Sequence, residues 1–267
     1  MSKATDSRTM IEMIKVTKRY PPNVMALDDI SVSIASGEMF FLIGRSGAGK
    51  TTLLKLLCNM ERPSNGLIEI AGMNIHQVTG NKLAKLRQKV GVAYQDFRLL
   101  TDRTVAENIA ISMEVSYKKP ELIRNRVRSL LAQLQLEDKH DMLTGDLSRG
   151  EQQRIALARA VANSPSLILV DEPTGNLDAT STAQVMELLS RSHNAGATIV
   201  IATHDESIYR HSSHRIMEIN NGRISSLTKG DGQGWPNAAG AMDSGSGDGQ
   251  GWPNAAGAMD GGSGDAI

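Results

Sequence analysis

One cysteine in 267 residues rules out a disulfide framework, so Cys58 is expected to be a packed thiol in a reducing compartment. Aromatic residues are scarce, 3% of the chain, and both tryptophans, Trp235 and Trp252, lie near the C-terminus. No apolar stretch approaches the ~20 residues needed to span a bilayer. The opening residues Met1-Ser2-Lys3-Ala4-Thr5-Asp6-Ser7 lack the apolar centre of a signal peptide. Any membrane role is therefore expected to run through a partner. Net charge is absent as well, but unevenly so: residues 1–229 carry all 29 basic groups and 24 of the 29 acidic ones. That mild excess suits a protein beside an anionic membrane or free in solution, and is too weak to argue for nucleic acid. His76, His140, His193, His211 and His214 lack metal-site spacing and receive no role.

The chain ends in a segment of a different kind. Gly230–Asp243 and Gly247–Asp260 are identical fourteen-residue copies joined by Ser-Gly-Ser. Such a duplication reads as an appended flexible tail, disordered or an engineered tag, and residues 230–267 are left out of the expected fold. Residues 1–229 alternate strand-like and helix-like patterns. Strands are expected over 11–34 around Pro21-Pro22-Asn23, at Met39–Ile43, Gly66–Ile70, Val90–Tyr94, Leu167–Val170 and Thr198–Ala202. Helical periodicity runs at Asn81–Lys89, from Thr104 to about Leu136, and near Thr182–Ser192. Asn220-Asn221-Gly222 predicts a hairpin between Arg215–Ile219 and Arg223–Ser226. The expected class is α/β: a mostly parallel core sheet, an antiparallel β subdomain, and a helical block inserted at about 96–162.

What the chain does contain is a phosphate-binding pattern. Gly44-Arg45-Ser46-Gly47-Ala48-Gly49-Lys50-Thr51 fits G-x-x-x-x-G-K-[ST], between the apolar run Met39–Ile43 and a helix beginning near Thr52. The glycines let backbone N–H groups curl around an anion at a helix N-terminus. Lys50 is expected on the β- and γ-phosphates and the Thr51 hydroxyl on Mg²⁺. Asp171 and Glu172 close a second apolar run, Leu167–Val170. Asp171 is expected to hold Mg²⁺, and Glu172 to polarise a water attacking the γ-phosphate.

These motifs belong to an ordered set: the phosphate loop, Gln95, Leu147-Ser148-Arg149-Gly150-Glu151-Gln152-Gln153, Asp171-Glu172, Gly175-Asn176-Leu177-Asp178, and His204. Each later member alone reads as structural: Tyr20 as strand packing, Gln95 as a solvated strand end, His204 as a helix cap. Together, over residues of about 11–226, they resemble the ABC-type ATPase family. The resemblance implies that Tyr20 stacks on adenine and that Gln95 senses Mg²⁺ and the γ-phosphate. It further implies that His204 holds the phosphate and the attacking water, and that Asp178 communicates across a dimer. Ser148 and Gly150 would touch the γ-phosphate of the opposite subunit, so the chain would act as a head-to-tail homodimer around two ATP. Glycine is usual in the family where this chain has Arg149. That side chain either points to solvent or reaches the opposite phosphate.

Gln95–Asn108, Leu53-Leu54-Lys55-Leu56 and Glu61-Arg62-Pro63 are similar to the FtsE-type cell-division branch of that family. This implies an integral membrane partner of FtsX type, bound on the cytoplasmic face of the bacterial inner membrane near Phe97, Leu99 and Leu100. It also implies indirect control of peptidoglycan hydrolases through a periplasmic regulator. Related ATPases for lipoprotein release or MacB-type export share the Gly175–Asp178 loop and remain an alternative. A soluble ABC protein of DNA repair or translation is expected to have long coiled-coil insertions or tandem cassettes. A nucleotide-gated binding module is a further alternative, hinted at only by Arg149.

Overall fold

The computed structural model describes residues 9–210 and 212–230, which fall within one compact unit. The duplicated segment, beyond Gly230, lies outside the described residues. The chain opens on the long strands β1 (Thr9–Tyr20) and β2 (Val24–Ala35), paired antiparallel around the expected turn. Strand β3 (Met39–Ile43) then leads through the glycine-rich loop into helix α1 (Lys50–Leu57). Strands β4 (Asn65–Ile70) and β5 (Met73–Asn74) complete a four-stranded sheet in the order β2-β1-β4-β5. Helix α2 (Gly80–Gln88) and strand β6 (Val90–Ala93) follow. Helices α3 (Val105–Glu114), α4 (Pro120–Gln133) and α5 (Arg149–Ala162) make up the helical block. The rest alternates: β7 (Leu167–Asp171), α6 (Ala179–Asn194), β8 (Thr198–Thr203), the short α7 (Glu206–Tyr209), and the hairpin β9 (Arg215–Asn220) and β10 (Arg223–Lys229).

The second sheet has the order β10-β9-β3-β8-β7-β6, parallel except at the terminal hairpin. Its central strands are continuous apolar runs because both faces are covered. Period-two alternation divides their side chains between two cores. Met39, Phe41, Ile168, Val170, Ile199 and Ile201 face a cluster shared with α3, α4, α5 and α6. Phe40, Leu42, Leu167, Leu169, Val200 and Ala202 face a cluster built with α1 and the antiparallel sheet. The helical block thus shares its core with one face of the sheet.

This arrangement sets the site at the carboxyl ends of β3, β7 and β8, the edge at which open α/β sheets bind ligands. In the hairpin turn, Asn221 (φ +48°) and Gly222 (φ +77°) take the left-handed backbone that such turns need. Its tip backs the phosphate loop, with Gly222 N–H donating to Ala48 O at 3.1 Å. Among the described residues, no helix is long and apolar enough to cross a membrane.

Candidate active site

The phosphate loop takes its shape from close packing. Gly44 (φ +148°) and Gly49 (φ +116°) occupy backbone that L side chains rarely adopt. A Cβ would lie 2.3 Å from Ile219 O at the first and 2.6 Å from Ala26 O at the second. Arg45, Ser46 and Gly47 are exposed at the loop's outer edge, and Ala48 is buried beneath it. Lys50 is buried, and its Nζ crosses the loop to Gly44 O at 2.8 Å and Arg45 O at 3.3 Å. The same ammonium lies 3.6 Å from Glu172 Oε1.

Glu172 leaves β7 with φ +51°, a conformation that costs a non-glycine residue about 1–3 kcal/mol. Its other carboxylate oxygen lies 2.9 Å from His204 Nδ1 and accepts the His204 backbone N–H at 3.3 Å. His204 follows β8, which runs parallel to β7 with Ala202 opposite Asp171. Just beyond it, Thr174 Oγ1 donates to Asp205 Oδ2 at 2.9 Å, tying the turn after Glu172 to the segment after β8.

Asp171 is buried beside the Thr51 hydroxyl. Burial pushes its carboxyl up; the Thr51 hydrogen bond opposes this, the Glu172 charge adds to it, and Lys50 opposes it. Asp171 Oδ1 is buried with no protein partner among the described residues. A carboxylate held in this way, next to a hydroxyl, fits a hard divalent cation with oxygen ligands. Gln95 is exposed just past β6, whose Ala93 lies opposite Val170 of β7, so it emerges alongside Glu172.

Tyr20 lies at the end of β1, its hydroxyl donating to Glu61 Oε2 at 2.5 Å and also bonded to Thr52. Those bonds place the ring beside the first turn of α1, with Lys18 Nζ 4.7 Å from its centroid. A cleft of about 390 Å³ next to Tyr20 is lined by Arg19, Pro21, Pro22, Ser64 and Asn65. It includes no residue of the phosphate loop, so it is not the phosphate site.

The signature residues form a separate group. Ser148 caps α5: its Oγ accepts Glu151 N–H at 3.3 Å, and its own N–H donates to Glu151 Oε2 at 2.8 Å. A Cβ on Gly150 would lie 3.3 Å from Asn176 O, so the loop 175–178 rests against the signature. Asp178 caps α6 through Ser181 N–H at 2.7 Å. The exposed Arg149 does not simply point to solvent: its guanidinium lies 5.5 Å from the centre of the Phe97 ring.

That ring requires a correction. Phe97, expected on a partner-facing surface, is 6% exposed. Its backbone turns left-handed (φ +58°), which directs the ring inward, and Arg159 holds its carbonyl at 2.7 Å. Leu99 is half-buried against the core, whereas Leu100 is 40% exposed. Sequence reasoning passed over Met142 and Leu143, which are exposed on the segment that Thr144 ties to Leu100 O. It quoted Gln153 only as the end of the signature, with no role, and passed over Arg159 and Thr174; the partners of all three lie far away in the chain. None of these carries a local sequence signal, unlike the S-x-x-E capping box that starts α5.

The ABC transporter family profile matches residues 27–175. The chain is 42% identical over 216 residues to the cell division ATP-binding protein FtsE of Mycobacterium tuberculosis, covering 80% of this chain and 94% of that protein. Identity to FtsE of Bacillus subtilis is 41% over 215 residues, at 80% and 94% coverage. Against FtsE of Escherichia coli K12 it is 40% over 215 residues, at 80% and 97%. A dimeric ATP-binding cassette solved in a post-hydrolysis state with ADP and Pi superposes with a TM-score of 0.77 at 31% identity, covering 82% of this chain and 98% of that one. A dimeric bacterial ABC transporter cassette gives 0.78 at 32%, with the same coverage. With its phosphate loop, paired carboxylates and signature helix on this fold, the chain belongs to the ABC transporter family of ATPases and, within it, to the FtsE cell-division group.

Proposed function

We propose that this chain is the ATP-hydrolysing subunit of a cell-division complex, at the cytoplasmic face of the inner membrane. In it, two copies close on two Mg·ATP and move an integral membrane partner of FtsX type. That movement, through a periplasmic regulator, controls peptidoglycan hydrolysis. The dimeric state of the similar cassettes and the FtsE relatives support this reading. Ser148 and Gly150 pack with Asn176 and Glu151 rather than with the phosphate loop, which suits a role on the second copy's nucleotide.

The site chemistry follows from the residues that meet there. Backbone N–H groups from Gly44 to Thr52 and the N-terminal dipole of α1 hold the phosphates, and Lys50 neutralises their outer charge. Thr51, Gln95 and Asp171 would hold Mg²⁺, which when bound supplies charge neutralisation across the β- and γ-phosphates. Glu172 polarises the attacking water, with His204 fixing one carboxylate oxygen while the other lies on the Lys50 side of the site. Tyr20, beside Thr52, stacks on the base.

One observation carries the partner assignment: Leu100, Met142 and Leu143 are 40%, 37% and 43% exposed on adjoining segments. Val105 N–H donates to Met142 O and Thr144 Oγ1 to Leu100 O, which brings the two segments together. Asn108, fully buried, pins them: its Oδ1 accepts Leu100 N–H at 2.8 Å, and its Nδ2 donates to Leu100 O and Thr104 O at 3.0 Å and to Thr144 Oγ1 at 3.2 Å. A short amphipathic helix of the membrane protein fits such a patch. Leu100→Asp combined with Leu143→Asp is expected to keep ATP binding while abolishing co-purification of an integral membrane protein from native membranes. Retained co-purification overturns the docking surface. Capture of a lipoprotein-release or MacB-type permease by the parent replaces the cell-division reading.

A further inference from the structure

Helix α5 begins in the signature and then runs back beneath the catalytic edge of the sheet. On its second turn, Gln153 is 6% exposed, and its Nε2 donates to the carbonyl of Glu172 at 2.7 Å. Gln153 Oε1 has no partner among the described residues, so this one bond is what offsets burial of the amide. The receiving residue is the left-handed Glu172, whose N–H donates to Ala202 O at 2.8 Å. The strained peptide is therefore gripped on one side by β8 and on the other by α5. Further along the helix, Arg159 repeats the pattern. It donates to Phe97 O and Arg98 O at 2.7 and 2.6 Å, and these residues are also left-handed, at φ +58° and +48°. Side chains of one helix thus hold the backbone of both strained segments flanking the candidate site.

We propose that Gln153 is a positioning residue for ATP hydrolysis: by holding the Glu172 carbonyl it aims that carboxylate, and it ties the aim to the seating of the helix that starts at Ser148. Without the amide, the peptide after Glu172 is free to leave the left-handed region, and the carboxylate swings with it. Nucleotide binding, which uses the phosphate loop after β3, does not pass through this bond. The effect belongs on turnover and not on affinity, since misplacing a reacting group by about 1 Å can cost about 100-fold in rate. A second consequence concerns closure. A nucleotide pressed onto Ser148 and Gly150 by a second copy acts on α5, and α5 acts on Glu172 through Gln153.

The inference rests on Glu172 being the carboxylate that polarises water, so Glu172→Gln is measured alongside. In the full chain, Gln153→Met keeps the side chain's length and removes both amide groups. It is expected to lower kcat at least about 10-fold while Mg·ATP affinity, KM and melting temperature stay within about two-fold or a few degrees of the parent. Gln153→Glu keeps the shape and replaces the donor with an oxygen; the same loss confined to kcat is expected. Parent-like kcat in a folded variant, with Glu172→Gln inactive, overturns the role of Gln153 alone. Hydrolysis surviving in Glu172→Gln takes down the site reading as well. If both Gln153 variants lose affinity and thermal stability together with rate, Gln153 is a packing residue and the proposal fails.

Discussion

Gly44 shows how little freedom single positions at this site have. Its φ of +148° argues against any side chain there, and so does Ile219 O, which would stand 2.3 Å from an added methyl carbon. Gly44→Ala is expected to displace either the loop or the β9–β10 hairpin. The cost is about 2–4 kcal/mol of stability in urea denaturation, with weakened ATP binding by calorimetry; unchanged values in both would show that the hairpin yields freely. Other single residues behave differently from what their neighbours in sequence suggest. Phe97, Leu99 and Leu100 look equivalent as apolar letters in a loop, yet the first is buried, the second half-buried and the third exposed. A left-handed backbone at Phe97 and Arg98 makes that division, and nothing in residues 96–100 announces it, because neither position is glycine.

Among the elements, α5 joins the most functions. Its N-terminal capping box is worth about 1 kcal/mol to the helix start, and the signature residues share that same turn. The Ser148 hydroxyl, first, and its N–H hold the Glu151 carboxyl below the ordinary carboxylate range, with partial burial opposing. A depressed folded pKa means that the stabilisation is present above the unfolded value and is lost as pH falls through the folded one. Glu151→Ala is therefore expected to cost about 1 kcal/mol near neutral pH, with the gap to the parent closing as pH drops below the carboxylate range. Denaturation curves at pH 7 and in the acid range check this; a gap independent of pH would assign the loss to packing. The long strands and helices α2 and α6 were legible from periodicity to within a few residues at their ends, whereas the run from Thr104 to Leu136 divides into α3 and α4, and β5, α5 and α7 were not singled out. The apolar runs within β3, β7 and β8 could not say which residue faced which core, since residues 39–43, 167–170 and 199–202 are apolar throughout.

At the scale of the whole molecule, the phosphate loop and the signature occupy separate groups of contacts in one chain. If each ATP is shared between two copies, a Lys50→Ala chain and a Ser148→Ala chain are each inactive alone. Mixed, they form dimers in which one site pairs an intact Lys50 with an intact Ser148. ATPase activity of the mixture is then expected to rise well above the average of the two, towards about a quarter of the parent rate if copies exchange freely and sites act independently. A mixture no more active than the average of its components means that each chain works alone.

The candidate phosphate-binding and carboxylate groups could be proposed from the chain because their chemistry is local. A phosphate cradle needs glycine, lysine and threonine at set spacings, and two carboxylates at a strand end keep their order whatever surrounds them. Other groups were invisible because their meaning depends on docking. Gln153 meets Glu172 across 19 positions, Arg159 meets Phe97 across 62, and Arg149 lies over Phe97 only because α5 seats against the loop after β6. No spacing rule encodes those contacts; they arise where a helix and a sheet edge pack, and packing is a property of the folded surfaces in three dimensions.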